Sequence, residues 1–342
     1  MKSFVTIGEI MGRFCTQGFA RFEQAVPGTM AVTFGGAEAS IAALLARLGN
    51  SAAFVTALPN NPIGHACVTE LRAMNVDSRQ TVFVDDSRLG LYFVEQAVGA
   101  RAGQVIYDRD RSAFATTSAD RYDWEAIFAN ADWLVITGIT PAISKLAAEM
   151  TCEAIGRAKR SGIRIAMDMN FRSKLWRWDP SCSPAELAFR WMSKLACEVD
   201  VLIGGVDDFV NRLGFPQDEK TALPTQILNA YENVQHVVLT RRSGSGGEQR
   251  FSAELHSRDQ DPAVSGTANI TSVVDRIGTG DAFAAALIDS LASDRFSSAI
   301  DTIEFAVAAC QLAHTIPGDF SLIERSEILE AMAGSSAGRI RR

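Results

Sequence analysis

The residues best equipped for chemistry are Asp275-Arg276-Ile277-Gly278-Thr279-Gly280-Asp281, which lead at once into the apolar stretch 282–288. Two glycines bracket one small residue, and Asp281 falls where a loop turns into a helix. Backbone N–H groups at such a turn have no partner inside the helix. Gly278, Thr279, Gly280 and Asp281 therefore form a candidate anion site, and the glycines let a ligand approach the backbone closely. A phosphate cradle beside a carboxylate able to act as general base is the minimum equipment for moving a phosphoryl group onto a hydroxyl. The plainer reading of Asp281 is an acidic residue that stabilises the helix dipole by ~0.3–1 kcal/mol. The segment is not a dinucleotide fingerprint, because Phe283 stands where the third glycine would, and the chain has no Gly-Lys pair to make a Walker loop.

Four further groupings carry polar chemistry. Gly35-Gly36-Ala37-Glu38-Ala39-Ser40 opens a helix, as a close-approach site for a ligand or as a plain N-cap and turn. Asp168-Met169-Asn170-Phe171-Arg172 follows the strand-like run 164–167. Asp168, Asn170 and Arg172 would share one face of an extended segment, at the strand end where open α/β sheets bind ligands. Asp168 and Arg172 forming a structural ion pair is the alternative. Tyr92 and Tyr107-Asp108-Arg109 lie on β-like segments, where tyrosine serves packing as readily as binding. Arg241-Arg242-Ser243-Gly244-Ser245-Gly246-Gly247 reads as a flexible loop bordering a nucleotide, or as a glycine-rich hairpin. Gly318-Asp319-Phe320, taken alone, is a turn.

Positioning these residues requires a scaffold. Short apolar runs at 5–7, 53–56, 134–137, 164–167, 201–203 and 237–239 alternate with helical patterns, which predicts a mostly parallel sheet covered by helices on both faces. Ile41, Leu44, Leu45 and Leu48 share helical spacing, and Gly49 ends that helix. A short strand is expected at 270–274. Segments 13–34 and 81–113 break the alternation; the latter reads as β-segments 81–84, 89–95 and 104–107. Together they predict a small β-sheet outside the main one, a lid that would exclude water or an ordinary surface hairpin. One domain over 1–333 is expected, with 334–342, Gly/Ser-rich and then basic, as a flexible tail.

The 342 residues are 47% hydrophobic, enough for a substantial core, and the net charge of −7 is dispersed, without the basic stripe of a nucleic-acid binder. No run reaches the ~20 apolar residues of a membrane span, and the start lacks a signal-peptide pattern, so a cytoplasmic location is expected. The six cysteines contain no C-x-x-C pair, and the four histidines no H-E-x-x-H. Neither a disulfide framework nor transition-metal catalysis is expected. Mg²⁺ carried by a nucleotide remains compatible, since it needs few protein ligands.

In this order, from Gly8-Glu9 to Gly318-Asp319-Phe320, the motifs resemble the ribokinase-like (phosphofructokinase-B type) carbohydrate kinases. Gly278-Thr279-Gly280-Asp281 matches the family's G-A-G-D signature, and Gly35-Gly36 its sugar-binding diglycine. Within the family the chain looks most like 2-keto-3-deoxygluconate kinases, through Gly35-Gly36-Ala37-Glu38-Ala39, Tyr107-Asp108-Arg109 with Ser112-Ala113, Asp168-Met169-Asn170-Phe171-Arg172 with Leu175-Trp176, and Asp275-Arg276-Ile277. The resemblance implies a three-layer α/β/α fold with a β-lid, ATP and Mg²⁺ as cofactors, and a homodimer joined through the lids. It implies Asp281 as the base and amides 278–281 as stabilisers of the transferred phosphoryl. Gly35, Gly36, Ser40, Tyr92, Tyr107, Arg109 and Arg172 would hold the sugar acid. Asn170, Arg241, Ser243, Gly244, Gly246, Gly247, Gly278 and Gly280 would lie along ATP. The chain departs from the family pattern in three places. Ser40 stands where asparagine is usual, Arg241 where lysine is common, and Gly205-Val206-Asp207-Asp208 on the N-x-x-E motif. Asp208 is left as the one acid to organise Mg²⁺, through water. A kinase of a neutral ketose such as fructose or of another deoxy-keto acid, and a sugar-binding protein without catalysis, are the rival expectations.

Overall fold

The computed structural model describes residues 1–217, 221–245, 248–293 and 295–334. The central sheet has nine strands. Ser51–Val55, Ser3–Ile7, Trp133–Thr137, Arg164–Asp168, Val201–Gly205 and His236–Ser245 run parallel in that spatial order. Glu248–Ser257 returns antiparallel as a hairpin, and Ala263–Val264 and Ala268–Ile270 pair against its far edge. The middles of the parallel strands are largely apolar because both faces are covered there; Trp133–Thr137, with sequence WLVIT, is buried at every position.

Helices Ala37–Arg47, Thr279–Ser293 and Ala299–Ala313 pack on one face of this sheet, around Phe54, Phe251, Phe283 and Phe305. Lys145–Arg160 and Pro184–Ala196 pack on the other, around Trp176, Met167 and Leu187. Thr279–Ser293 is apolar on nearly every side, as a helix enclosed by its neighbours must be. Gly49 follows Ala37–Arg47 at φ +87°, the left-handed C′ position read from the sequence.

A second sheet of four strands, ordered Ala31–Gly35, Met11–Cys15, Leu91–Glu95 and Gln104–Asp108, stands over the carboxyl ends of the parallel strands. The three-layer architecture with a small lid sheet expected from the motifs is thus present. Three expectations are corrected. Segment 81–84 does not join the lid: Val82–Val84 pairs in parallel with Ala57–Pro59 as a separate ribbon. The strand expected at 270–274 ends at Ile270, where its pairing with the hairpin runs out; Val274 instead donates its N–H to His314 O at 2.8 Å. Of the two readings of 241–247, the flexible loop is corrected and the hairpin holds: the chain is strand to Ser245, paired residue by residue with Glu248–Ser257. Among the described residues no helix is long and apolar enough to cross a membrane. Of the expected tail, residues 335–342 lie outside those described.

Candidate active site

A cavity of about 440 Å³ opens between the lid sheet and the carboxyl ends of the parallel strands. Its floor comes from residues at or just beyond those ends: Ile139, Asp168, Asn170, Arg172, Gly205 and Asp208. The size lies in the ~300–1,000 Å³ range of small-molecule sites.

One wall is the loop entering helix Thr279–Ser293. The first helical bond to its entry runs from Ala282 N to Gly278 O at 2.9 Å. The amides of residues 278–281 precede it and are left for a ligand. Gly278 sits at φ +83°, and a Cβ there would fall 2.3 Å from Asp319 O, so only glycine lets the loop pass so close to that chain. At Gly280 a Cβ would meet nothing within 4 Å; the space beside it is open cavity. Asp281, 8% exposed, lines this cavity one residue on. Oriented amides with a carboxylate alongside can hold an anion and take a proton from a hydroxyl placed between them.

The opposite wall comes from the lid and the diglycine. Gly36 lines the cavity, and a Cβ on it would lie 2.2 Å from Glu9 O. Gly35 sits behind it, leaving room for Asp319 and the Tyr92 hydroxyl, which would be 2.2 and 2.4 Å from an added Cβ. Tyr92 donates to Asp319 Oδ1 at 2.6 Å, and Arg13, on the neighbouring lid strand, bridges Asp319 (2.8 Å) and Asp275. Asp275 in turn accepts from Ile277 N at 3.1 Å and Gly318 N at 3.1 Å. The lid is thereby pinned to both segments that shape the anion loop. Arg109 is held by Glu9 (2.7 Å from Nε), which also accepts from Ser112. Tyr107 lies in the cavity wall with the Arg109 guanidinium 5.8 Å from its ring centroid. Glu38 accepts from the hydroxyls of Thr137 and Thr140, both at 2.7 Å.

Of the residues singled out in the sequence, the cavity brings together Gly36, Tyr92, Tyr107, Arg109, Asn170, Arg172, Asp208, Gly278, Thr279, Gly280 and Asp281. It leaves out Ser40, one turn into its helix and 3% exposed, whose Oγ has no hydrogen-bond partner among the described residues. It also leaves out Arg241, which points outward and pairs with Glu254 at 2.9 Å. Ser243 and Gly244 lie on the exposed end of that strand, away from the cavity wall; Gly246 and Gly247 lie outside the described residues. Strand parity explains the exchange. Thr240 and Arg242 face the cavity, so Arg241 between them cannot. Asp168 and Arg172 form no contact ion pair among the described residues, so the structural reading of that motif fails. Glu9, Glu38, Asp319 and Arg242 also line the cavity; only their neighbourhood to the glycine motifs and strand ends pointed to them.

Carboxylates crowd the floor. Burial, and then the charge of Asp168, hold the Asp281 carboxyl well above the usual range, against the pull of Arg172. Burial, and next Asp208, push Asp168 up to about 7, and burial raises Asp208. With Asp281 as the base proposed below, its proton must leave before it can work. Turnover therefore falls as pH drops through that raised value, above the range of an ordinary carboxylate. Asp168→Asn removes the second cause of the elevation, so the acid limb of kcat/KM moves to lower pH. Each ~1.4 kcal/mol of repulsion removed is about one pH unit. A pH profile from 5 to 9 measures this; a limb that stays in place shows that the pair is not coupled.

Comparison with known proteins fits this geometry. A pfkB family carbohydrate kinase model matches residues 1–323. The chain belongs to the pfkB family of carbohydrate kinases, phosphotransferases with an alcohol group as acceptor. It is 32% identical over 340 residues to a 2-dehydro-3-deoxygalactonokinase of Haloferax volcanii, covering 98% of each chain. The crystal structure of 2-dehydro-3-deoxygluconokinase from Thermotoga maritima superimposes with a TM-score of 0.89 at 34% identity, over 98% of this chain and 100% of that one. A pfkB family carbohydrate kinase from Listeria grayi gives a TM-score of 0.90 at 32% identity, over 97% and 100%.

Proposed function

We propose that this protein transfers the terminal phosphoryl group of ATP to the terminal hydroxyl of 2-keto-3-deoxygluconate or a close sugar acid, its galacto epimer included. The observation that carries the reading is the juxtaposition of Asp281, the free amides of 278–281 and Arg172 in one cavity. The Haloferax volcanii and Thermotoga maritima relatives act, by their names, on sugar acids of this kind.

Asp281 takes the proton from the attacking hydroxyl. The amides of 278–281 stabilise the charge on the phosphoryl oxygens as it moves, in a site where the lid excludes water. Gly36, Tyr92 and Tyr107 shape the sugar side, and Arg172 holds the substrate carboxylate through its planar fork. Arg109 stands further back, because Glu9 already occupies its guanidinium. The nucleotide side fits a polyphosphate: open space at Gly280, unpaired amides, and Asn170 close by. ATP supplies the phosphoryl group. Among the described residues no cluster of three ligating side chains could cage a metal. Mg²⁺ would therefore arrive on the nucleotide, with Asp208 touching it only through water, since Asp208 already accepts from Gly205 N at 2.8 Å.

A substrate panel tests the assignment. The two epimeric 2-keto-3-deoxy acids should exceed fructose and ribose in kcat/KM by at least ~10², and Arg172→Gln should raise KM for the acids ~10–100-fold, the value of charge-assisted hydrogen bonds, while sparing the neutral sugars. Equal values across the panel contradict the carboxylate role. The lid sheet leaves Val32 and Ile106 exposed, at 58% and 45%. A second copy of the chain covering this sheet completes the reading, and a monomer in sedimentation at micromolar concentration contradicts it.

A further inference from the structure

Arginines in and around this cavity divide into two kinds. Arg13 and Arg109 are neutralised by buried carboxylates. Arg172, Arg242 and Arg276, which also line the cavity, are not: among the described residues none of the three has a carboxylate ion-pair partner, and of these three it is the Arg242 guanidinium that is fixed on the anion loop itself. This guanidinium donates to Thr279 Oγ1 at 3.3 Å, in the middle of the anion loop. It lies 3.4 Å from His314 Nε2 and 3.9 Å from Cys310 Sγ, and 4.8 Å over the Phe251 ring. These partners are uncharged near neutral pH. Burial pushes His314 down to about 4 and the Cys310 thiol up to about 11. His314 also spends its Nδ1 on Cys310 O, at 2.7 Å. Four neutral contacts therefore fix the plane of the guanidinium while leaving its charge without a carboxylate among the described residues.

That charge faces a cavity whose floor carries Asp168, Asp208 and Asp281. A polyanion entering past three carboxylates needs positive charge at the point where it docks. We propose that Arg242 is the phosphate-gripping cation of this site, binding the terminal phosphates of a nucleoside di- or triphosphate beside the anion loop. The inference rests on the nucleotide reading above and adds the residue and the phosphates it holds. A fork anchored on Thr279 reaches oxygens of the phosphate at the loop amides and of the one next to it. A nucleoside monophosphate has no phosphate that far along, so Arg242 is silent toward it.

Calorimetric titration with ADP and AMP, on the parent, Arg242→Gln and Arg242→Lys, tests this. Arg242→Gln should weaken ADP ~10–100-fold, leave AMP within about twofold, and flatten the salt dependence of ADP binding. Arg242→Lys should recover part of the loss. Equal ADP affinity in parent and Arg242→Gln overturns the inference. Equal weakening of ADP and AMP overturns it too, by showing a distorted wall instead of a lost phosphate contact. If thermal scanning shows Arg242→Gln destabilised, the lysine variant decides: a folded Arg242→Lys that discriminates ADP from AMP no better than glutamine refutes the role of charge. A parent that binds neither nucleotide overturns the kinase reading itself, and this inference with it.

Discussion

Replacing Asp281 by asparagine lowers kcat by ~10²–10⁴, the range contributed by a positioned general base, while the KM for ATP stays near its parental value. The substitution keeps the volume of the side chain and leaves the amides of 278–281 in place, so nucleotide binding survives and proton transfer does not. A second readout separates this from damage to the fold. In the parent, the Asp281 pKa is raised by burial and by Asp168. The native state therefore holds a proton that the unfolded chain has released, and stability falls as pH rises through the raised value. Asparagine mimics the protonated form. The variant should match the parent's thermal midpoint at pH 4 and exceed it at pH 8, becoming inactive and more stable at once. Near-normal turnover removes Asp281 from the chemistry.

Replacing Arg13 by methionine destabilises the protein by ~3–5 kcal/mol, the cost of stranding buried charges. Arg13 is 2% exposed and bridges Asp275 and Asp319, which are 5% exposed each. Removing it leaves two adjacent carboxylates without a cation. Burial already raises the Asp319 carboxyl, so acid relieves the defect by protonating it, and the deficit in the urea midpoint shrinks between pH 8 and pH 4. Because Asp275 and Asp319 also buttress the loop at Gly278, activity falls even where the variant remains folded. A variant as stable as its parent at pH 8 would show that this network is dispensable.

Much of this site lies in local sequence. Gly278, Gly280 and Asp281 declare a loop-to-helix anion site because the glycines and the apolar helix are contiguous. Strand ends such as Asp168 were legible because the short apolar run 164–167 marks the strand before it, as 134–137 marks its neighbour. Long-range pairing was not. Arg13 meets Asp319 across 306 residues, and nothing near either announces the other. Register was also hidden. Whether Arg241 or Arg242 faces the cavity depends on strand parity, and the strand continues past the apolar run that marked it. Ser40 failed for the same kind of reason: one helical turn carries it from the cavity edge into the core. Segment 81–84 was correctly β-like in composition, but composition does not choose a partner, and the ribbon with Ala57–Pro59 took it.

The most direct test follows the phosphoryl group itself. With γ-labelled ATP and 2-keto-3-deoxygluconate, single-turnover quenching should place the label on the sugar's terminal oxygen in the parent, and at least ~10² more slowly in Asp281→Asn. Transfer at the parental rate in the variant, or ATP breakdown that ignores the sugar, contradicts the account.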